Sequence, residues 1–263
     1  MNPSGGPRFG TVVLTTAYLP PVEYFFAIAH GDRVLIEQHE AYQKQSWRNR
    51  CRILSAGGPE DLSIPVVKEE RLSRPIRDIR IDYGEPWLQQ HTRAFEAAYN
   101  SSAYYDYYAD ELIPILERKP AFLFDLNMAL LEKLMVLLGL DTPIALTDSF
   151  VKNYSFVDEN NVSLPRRQNL CGCGLSPRKN RAFSTRPSQD VFFFDGRSRI
   201  QPKYKGESLL AEYGCEQAYY QVFVNQDPSR HSRLDRESPF IPNLSILDLL
   251  SAEGPNAGAF LRT

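Results

Sequence analysis

The segment from Thr11 to Glu37 constrains the fold more than any other. Thr11-Val12-Val13-Leu14-Thr15-Thr16 is a short, mostly β-branched run that reads as a strand. Tyr18-Leu19-Pro20-Pro21 ends it, because proline removes a donor from a strand ladder. Val22 to His30 (VEYFFAIAH) then reads as a helix with Pro21 near its first turn, closed by Gly31-Asp32. Arg33 to Glu37 (RVLIE) is a second strand. Strand, loop, helix and strand follow one another in under about thirty residues, which suits a βαβ unit with a right-handed crossover. In sheets of this kind ligands sit at the carboxyl ends of the strands.

Beyond that unit the pattern alternates between sheet and helix. Cys51–Leu54 and Leu62–Val67 read as strands joined through Ala-Gly-Gly-Pro-Glu-Asp, and Ile76–Ile81 (IRDIRI) alternates like a further strand. The middle is helical. A segment from Pro86-Trp87 to Tyr99 carries His91, Phe95 and Tyr99 at helical spacing. Tyr104–Glu117 is a helix bent or ended near Pro114, and Leu126–Leu138 is the strongest helix, with Asp125 as N-cap and Gly139 as C-cap. Ile144–Phe150 returns to strand. From Val151 to Gly214 the pattern dissolves into a basic, turn-rich excursion in which Val191-Phe192-Phe193-Phe194 must dock somewhere. Tyr219–Phe223 reads as a short strand or turn. Ser245 starts a short helix, Ile246–Leu250, before Gly254-Pro255. The expectation is one α/β domain over residues 1–263: a mixed sheet with a βαβ start, a helical middle section, and an irregular insertion (151–214) before a short C-terminal helix.

Charge excludes some function classes. Thirty Lys and Arg against thirty-two Asp and Glu leave a formal net charge of -2, so no global basic excess points to nucleic acid or an anionic membrane. The longest apolar stretch, Leu130–Leu140, is broken by Glu132 and Lys133 and is too short to span a bilayer. The four cysteines, Cys51, Cys171, Cys173 and Cys215, make no disulfide framework and no zinc set. With no apolar leader, a reducing cytoplasm is the expected setting. There is no G-x-S-x-G elbow, H-E-x-x-H helix, glycine-rich dinucleotide fingerprint or Walker loop.

Two segments carry candidate chemistry. Tyr18–Phe25 places Tyr18 and Glu23 between the first strand and helix, where free backbone N–H groups can meet an anion. Glu23 equally complements the helix dipole. The second segment, Glu37–Arg50, follows the second strand. It gathers Glu37, His39, Glu40, Tyr42, Lys44, Gln45, Arg48, Asn49 and Arg50 within fourteen residues. Arginine forks bind phosphate or carboxylate, lysine holds phosphate as a point charge, and an imidazole moves protons near neutrality. The competing reading is a solvated charged loop whose Arg–Glu pairs contribute little each. His91, on a face shared with Phe95 and Tyr99, is either a satisfied core histidine or a site residue.

At these residues the chain resembles the WbqC-like family of bacterial proteins. The resemblance is carried by YLPPVEYF (Tyr18–Phe25), IEQHEAYQKQSWRNRCRI (Ile36–Ile53), LSIPV (Leu62–Val66), RDIRI (Arg77–Ile81) and the Trp87–His91 helix. It continues through AYNSSAYYDYY, FLFDLN, YYQVF (Tyr219–Phe223) and IPNLSILDLL (Ile241–Leu250), with order and spacing held along almost the whole chain. The resemblance implies a transferase in surface-glycan (O-antigen) assembly, of the aminoacyl or glycine type. It carries over Tyr42, Lys44, Gln45, Arg48, Asn49 and Arg50, with Glu37, His39, His91, Gln221 and Asn243 matching a subgroup. The chain departs from the family pattern at Thr16-Ala17 and Pro21-Val22-Glu23, and Leu170–Arg199 looks like extra sequence.

Two readings of function follow. In the first, the protein is a group transferase using an activated, phosphate-bearing donor. Glu37 or His39 is then the general base, Lys44, Arg48 and Arg50 hold the donor, and Tyr42 and Asn49 orient the substrate. In the second, the same pocket binds a small or nucleotide-linked molecule in a glycan pathway without turning it over. No cofactor or metal is assigned from the sequence. Nucleic-acid binding through Pro165–Arg186 is disfavoured by the near-neutral charge.

Overall fold

A computed structural model describes residues 9–67, 74–150, 192–194, 241 and 243–262. The opening unit forms as expected: β1 (Phe9–Thr15), α1 (Val22–His30) and β2 (Gly31–Glu37). The helix passes straight into β2 at Gly31. A Cβ there would stand 2.6 Å from the Val12 side chain, so only glycine allows this close approach to β1. β1 and β2 pair in parallel, with Thr15 level with Glu37.

The sheet grows on both sides of this pair. β5 (Ile144–Leu146) runs parallel to β2, and β6 (Phe192–Phe194) runs parallel to β1, giving the order β5-β2-β1-β6. The phenylalanine run thus docks as an outer strand. Among the described residues this sheet is parallel throughout. Among the described residues the antiparallel ladder belongs to a separate hairpin, with single antiparallel bridges elsewhere, so the mixture expected of one sheet is divided between two.

That hairpin joins β3 (Arg50–Ser55) to β4 (Gly58–Ser63). Its second strand begins four residues before the expected Leu62. Gly58, at φ 113°, lets the chain turn back after Ala56-Gly57. Pro59, Glu60 and Asp61 then form an exposed edge, where proline and charge discourage further pairing.

Ile76–Ile81 is not a strand. Ile76–Asp78 forms a 3₁₀ turn, and Arg80 and Ile81 make single bridges to Phe122 and Val66. Ile76, Ile79 and Ile81 are all buried, so the apolar pattern was real but served a turn.

The helices are α2 (Trp87–Tyr99), α3 (Tyr105–Glu117), α4 (Leu123–Leu137), α5 (Ile246–Glu253) and α6 (Ala257–Phe260). α3 continues through Pro114 to Glu117. α4 starts at Leu123, which moves Asp125 from the cap into the first turn, and Gly139 follows it at φ 59° as expected. Ser245 caps α5 by accepting from the Leu247 N–H. The core joins Val12, Leu14, Val34 and Ile36 of the sheet to Phe25, Phe26 and Ile28 of α1 and to Leu126, Leu130 and Leu134 of α4. No helix among the described residues is long and apolar enough to cross a membrane.

Candidate functional site

The carboxyl edge of the parallel sheet holds a linked group of polar side chains. Thr15 ends β1, Glu37 ends β2, and Thr147 follows β5. Residues in register on neighbouring strands point to the same face. Thr15 and Glu37 are in register, and the Thr147 hydroxyl donates to Glu37 Oε1 at 3.0 Å. A row Thr15–Glu37–Thr147 therefore crosses three strands. All three residues are buried.

Glu37 is oriented by its neighbours. The His39 N–H donates to Oε1 at 2.7 Å, so both hydrogen bonds that Glu37 accepts among the described residues fall on one oxygen. The Thr147 hydroxyl is itself oriented by the Gln38 N–H at 3.3 Å. The Thr147 carbonyl accepts from Gln38 Nε2 at 2.8 Å and pairs with His39 Nε2 at 3.0 Å. A carbonyl can only accept, so His39 Nε2 carries the ring proton. In the neutral ring Nδ1 then keeps its lone pair; it has no partner among the described residues, and the ring is half-buried. Glu37 and His39, both read from the sequence, are thus brought together. Thr147 and Thr15 were missed, because nothing in the order of residues brings Thr147 to a glutamate 110 positions away.

The rest of the Glu37–Arg50 segment divides in two. Arg48 is 1% exposed and sets its fork on Glu40: Nε donates to Oε1 at 2.7 Å and Nη2 to Oε2. It is neither presented to a ligand in open solvent nor part of a solvated loop. The segment is folded under by backbone bonds. Tyr42 N–H reaches Arg74, Ile76 N–H reaches Glu40, Tyr18 N–H reaches Trp47, and Ile64 N–H reaches Asn49. Asn127 Nδ2 holds the Arg48 carbonyl and Asn49 Nδ2 holds the Ile64 carbonyl. Tyr42 and Asn49 are buried in this packing. Lys44 and Gln45 stay exposed at the tip of the segment, and Lys44 makes no ion pair among the described residues. Arg50 points elsewhere, to Asp61 and Ser63 on the hairpin, where Arg52 shares the same carboxylate.

The start of α1 is closed. The Val22 N–H donates to the Leu244 carbonyl, the Tyr24 N–H to Pro21, and the Asn243 N–H to Glu23 Oε1 at 2.8 Å. The helix end expected to receive an anion instead receives the 243–246 segment and holds a buried carboxylate. Asn243 lies here at φ 63°, and Gln221 lies outside the described residues.

Tyr18 and His91 form a separate buried pair. The Tyr18 hydroxyl lies 3.0 Å from His91 Nδ1, and the Ser63 backbone accepts from the ring. Tyr18 therefore donates. Burial lowers the His91 pKa to about 4, with the Ser63 bond opposing. His91 is a satisfied core histidine tying α2 to the β1–α1 loop and to β4. Its ring is neutral in the folded state and gains a proton more readily in the unfolded chain. The unfolded chain thus binds more protons between pH 6.5 and about 4, and stability falls as pH drops through that window, by about 3 kcal/mol in all. Urea titrations from pH 7 to 4 should show this slope in the wild type and a shallower one in His91→Gln.

Comparison with known proteins places the chain. The WbqC-like protein family model matches residues 16–168, which include every residue of the carboxyl-edge row except Thr15. Uncharacterized protein Rv1507c of Mycobacterium tuberculosis is 31% identical over 252 residues, covering 95% of this chain and 96% of that protein. No solved structure matches. With a matching stretch that spans more than half the sequence and a relative similar from end to end, the chain belongs to the WbqC-like protein family.

Proposed function

We propose that the protein is a group transferase of bacterial surface-glycan assembly, taking an activated, phosphate-bearing donor and passing its group, of the aminoacyl kind, to a hydroxyl or amine. One observation carries this reading. At the carboxyl edge of the sheet, His39 is anchored through Nε2 to a carbonyl, its backbone N–H is held by Glu37, and its Nδ1 has no partner among the described residues. An imidazole held this way is a general base with its basic atom fixed. The nucleophile gives its proton to Nδ1 as its lone pair forms the new bond, and the phosphate-bearing group leaves with the electrons of the broken one. Lys44, exposed at the tip of the same segment, is the cation left to meet the donor phosphate.

A thermal-shift panel tests the donor. Nucleotides, nucleotide-sugars, acyl-CoA thioesters and amino acids are compared on wild type and Lys44→Ala. A ligand at about 100 times its Kd adds about 2.7 kcal/mol, which is several degrees for a chain near this size. The expected result is a shift from one phosphate-bearing class that shrinks in Lys44→Ala. A response confined to free amino acids, or none at all, rejects the phosphate-bearing donor.

A further inference from the structure

The Thr15–Glu37–Thr147 row leaves two groups without partners among the described residues. Among the described residues Glu37 accepts two hydrogen bonds, both on Oε1, which leaves Oε2 to something else. The Thr15 hydroxyl is fully buried and has no hydrogen-bond partner among the described residues. Buried polar atoms in folded proteins are almost always paired, so an orphan beside a half-used carboxylate marks a place for a ligand or a water. Thr15 and Glu37 stand in register on adjacent parallel strands, roughly 4.8 Å apart, on one face of the sheet.

The chemistry of the row selects its occupant. A carboxylate oxygen only accepts, and a threonine hydroxyl accepts or donates. Among the described residues no cation joins them: Arg48 is held by Glu40, Arg50 turns to the hairpin, and the start of α1 is closed by Leu244 and Glu23. An anion therefore finds nothing here, whereas neighbouring hydroxyl groups find one acceptor each. Topology agrees. In the order β5-β2-β1-β6 the chain builds outward from β1 to β2 and β5, then returns to the other side of β1 with β6. That reversal is a switch point, the place where open parallel sheets bind ligands. In doubly wound folds a carboxylate roughly 20 residues past the first βα turn takes ribose hydroxyls. Glu37 occupies the equivalent end of the second strand.

We infer that Glu37 Oε2 and the Thr15 hydroxyl form a sugar subsite that grips a vicinal diol. The inference rests on reading this edge as the ligand-binding end of a transferase. It gives Glu37 the role of holding substrate and leaves proton transfer to His39. The diol belongs either to the ribose of a nucleotide or to a pyranose.

The test is calorimetric titration with uridine diphosphate, its 2′-deoxy counterpart and methyl glucoside, on wild type, Thr15→Val and Glu37→Gln. Thr15→Val keeps the branched shape and removes an unpaired hydroxyl, so its melting temperature without ligand should hold or rise. A ribose source shows as uridine diphosphate binding about tenfold tighter than the deoxy compound, and a pyranose source as binding of methyl glucoside. In either case each variant should weaken the diol probe about tenfold. Equal affinity of ribose and deoxyribose forms with no binding of the glucoside overturns the inference. So does unchanged affinity in both variants, which would leave the Thr15 hydroxyl facing water alone. The two readings fail separately. Turnover with an unaltered KM in Thr15→Val removes the subsite and keeps the transferase. Diol binding with no turnover on any donor does the reverse.

Discussion

Arg48→Ala should cost about 3–5 kcal/mol of folding stability, measured by urea denaturation at neutral pH. The guanidinium is 1% exposed and forks onto Glu40, which is 6% exposed. Truncating the arginine leaves the glutamate charge buried with its principal cation gone, and that penalty, rather than the strength of the pair, dominates the loss. The truncation also opens space in the buried packing around Arg48. A domain of ordinary stability has about 5–15 kcal/mol in total, so the variant stands near the limit of folding. Replacing both partners, as Glu40→Leu with Arg48→Met, should recover most of the loss, because two apolar side chains leave no orphaned charge. Recovery fails if either residue does something besides neutralise the other. Lys44→Ala, on the exposed tip, should stay within about 0.5 kcal/mol of wild type. The contrast decides how ligand data can be read. Loss of ligand response in Arg48→Ala reports on folding, whereas the same loss in Lys44→Ala reports on the site.

Arg48 also shows where sequence reading stops. Residue type told that a fork-shaped cation stood near a strand end. It did not tell that backbone bonds to Arg74, Ile76 and Tyr18 would fold the segment under. Burial of a charge depends on those distant partners, so neither the donor-site reading nor the solvated-loop reading anticipated an internal pair. The place of Glu37 and His39 at the carboxyl end of a parallel strand was legible because the run RVLIE marked that end. Thr147 was not. Threonine is ordinary in strands, and its meaning comes from the pairing of β5 with β2, closed by the Thr147 N–H on the Ile36 carbonyl. The same division holds for the fold. β1, α1 and β2 carry their periods openly, and Gly31 sits where the helix meets the next strand. Ile76–Ile81 carries a strand-like alternation yet forms a turn, because its backbone partners are the single bridges to Val66 and Phe122 rather than a ladder. The exposed Pro59-Glu60-Asp61 edge looked like loop because an edge strand has no apolar face to advertise.

His39→Ala should lower kcat by about a hundredfold to ten-thousandfold, the usual contribution of a positioned general base, with the donor KM little changed. The split follows from position. His39 stands at the sheet edge with Nε2 on the Thr147 carbonyl, while Lys44 stands apart at the exposed tip. The ring contributes little to folding, being half-buried with one hydrogen bond through its side chain. Melting temperature should therefore fall far less than in Arg48→Ala. Added imidazole should restore part of the lost rate, since the cavity left by the ring opens on the same carbonyl. A structural histidine would show neither the rescue nor the kcat-selective loss. Glu37→Gln sharpens the assignment. If glutamate only holds substrate, the glutamine variant raises KM for the substrate that carries the diol, and its turnover does not respond to imidazole. If glutamate takes the proton, the roles invert: kcat collapses in Glu37→Gln, and His39→Ala retains most of its rate.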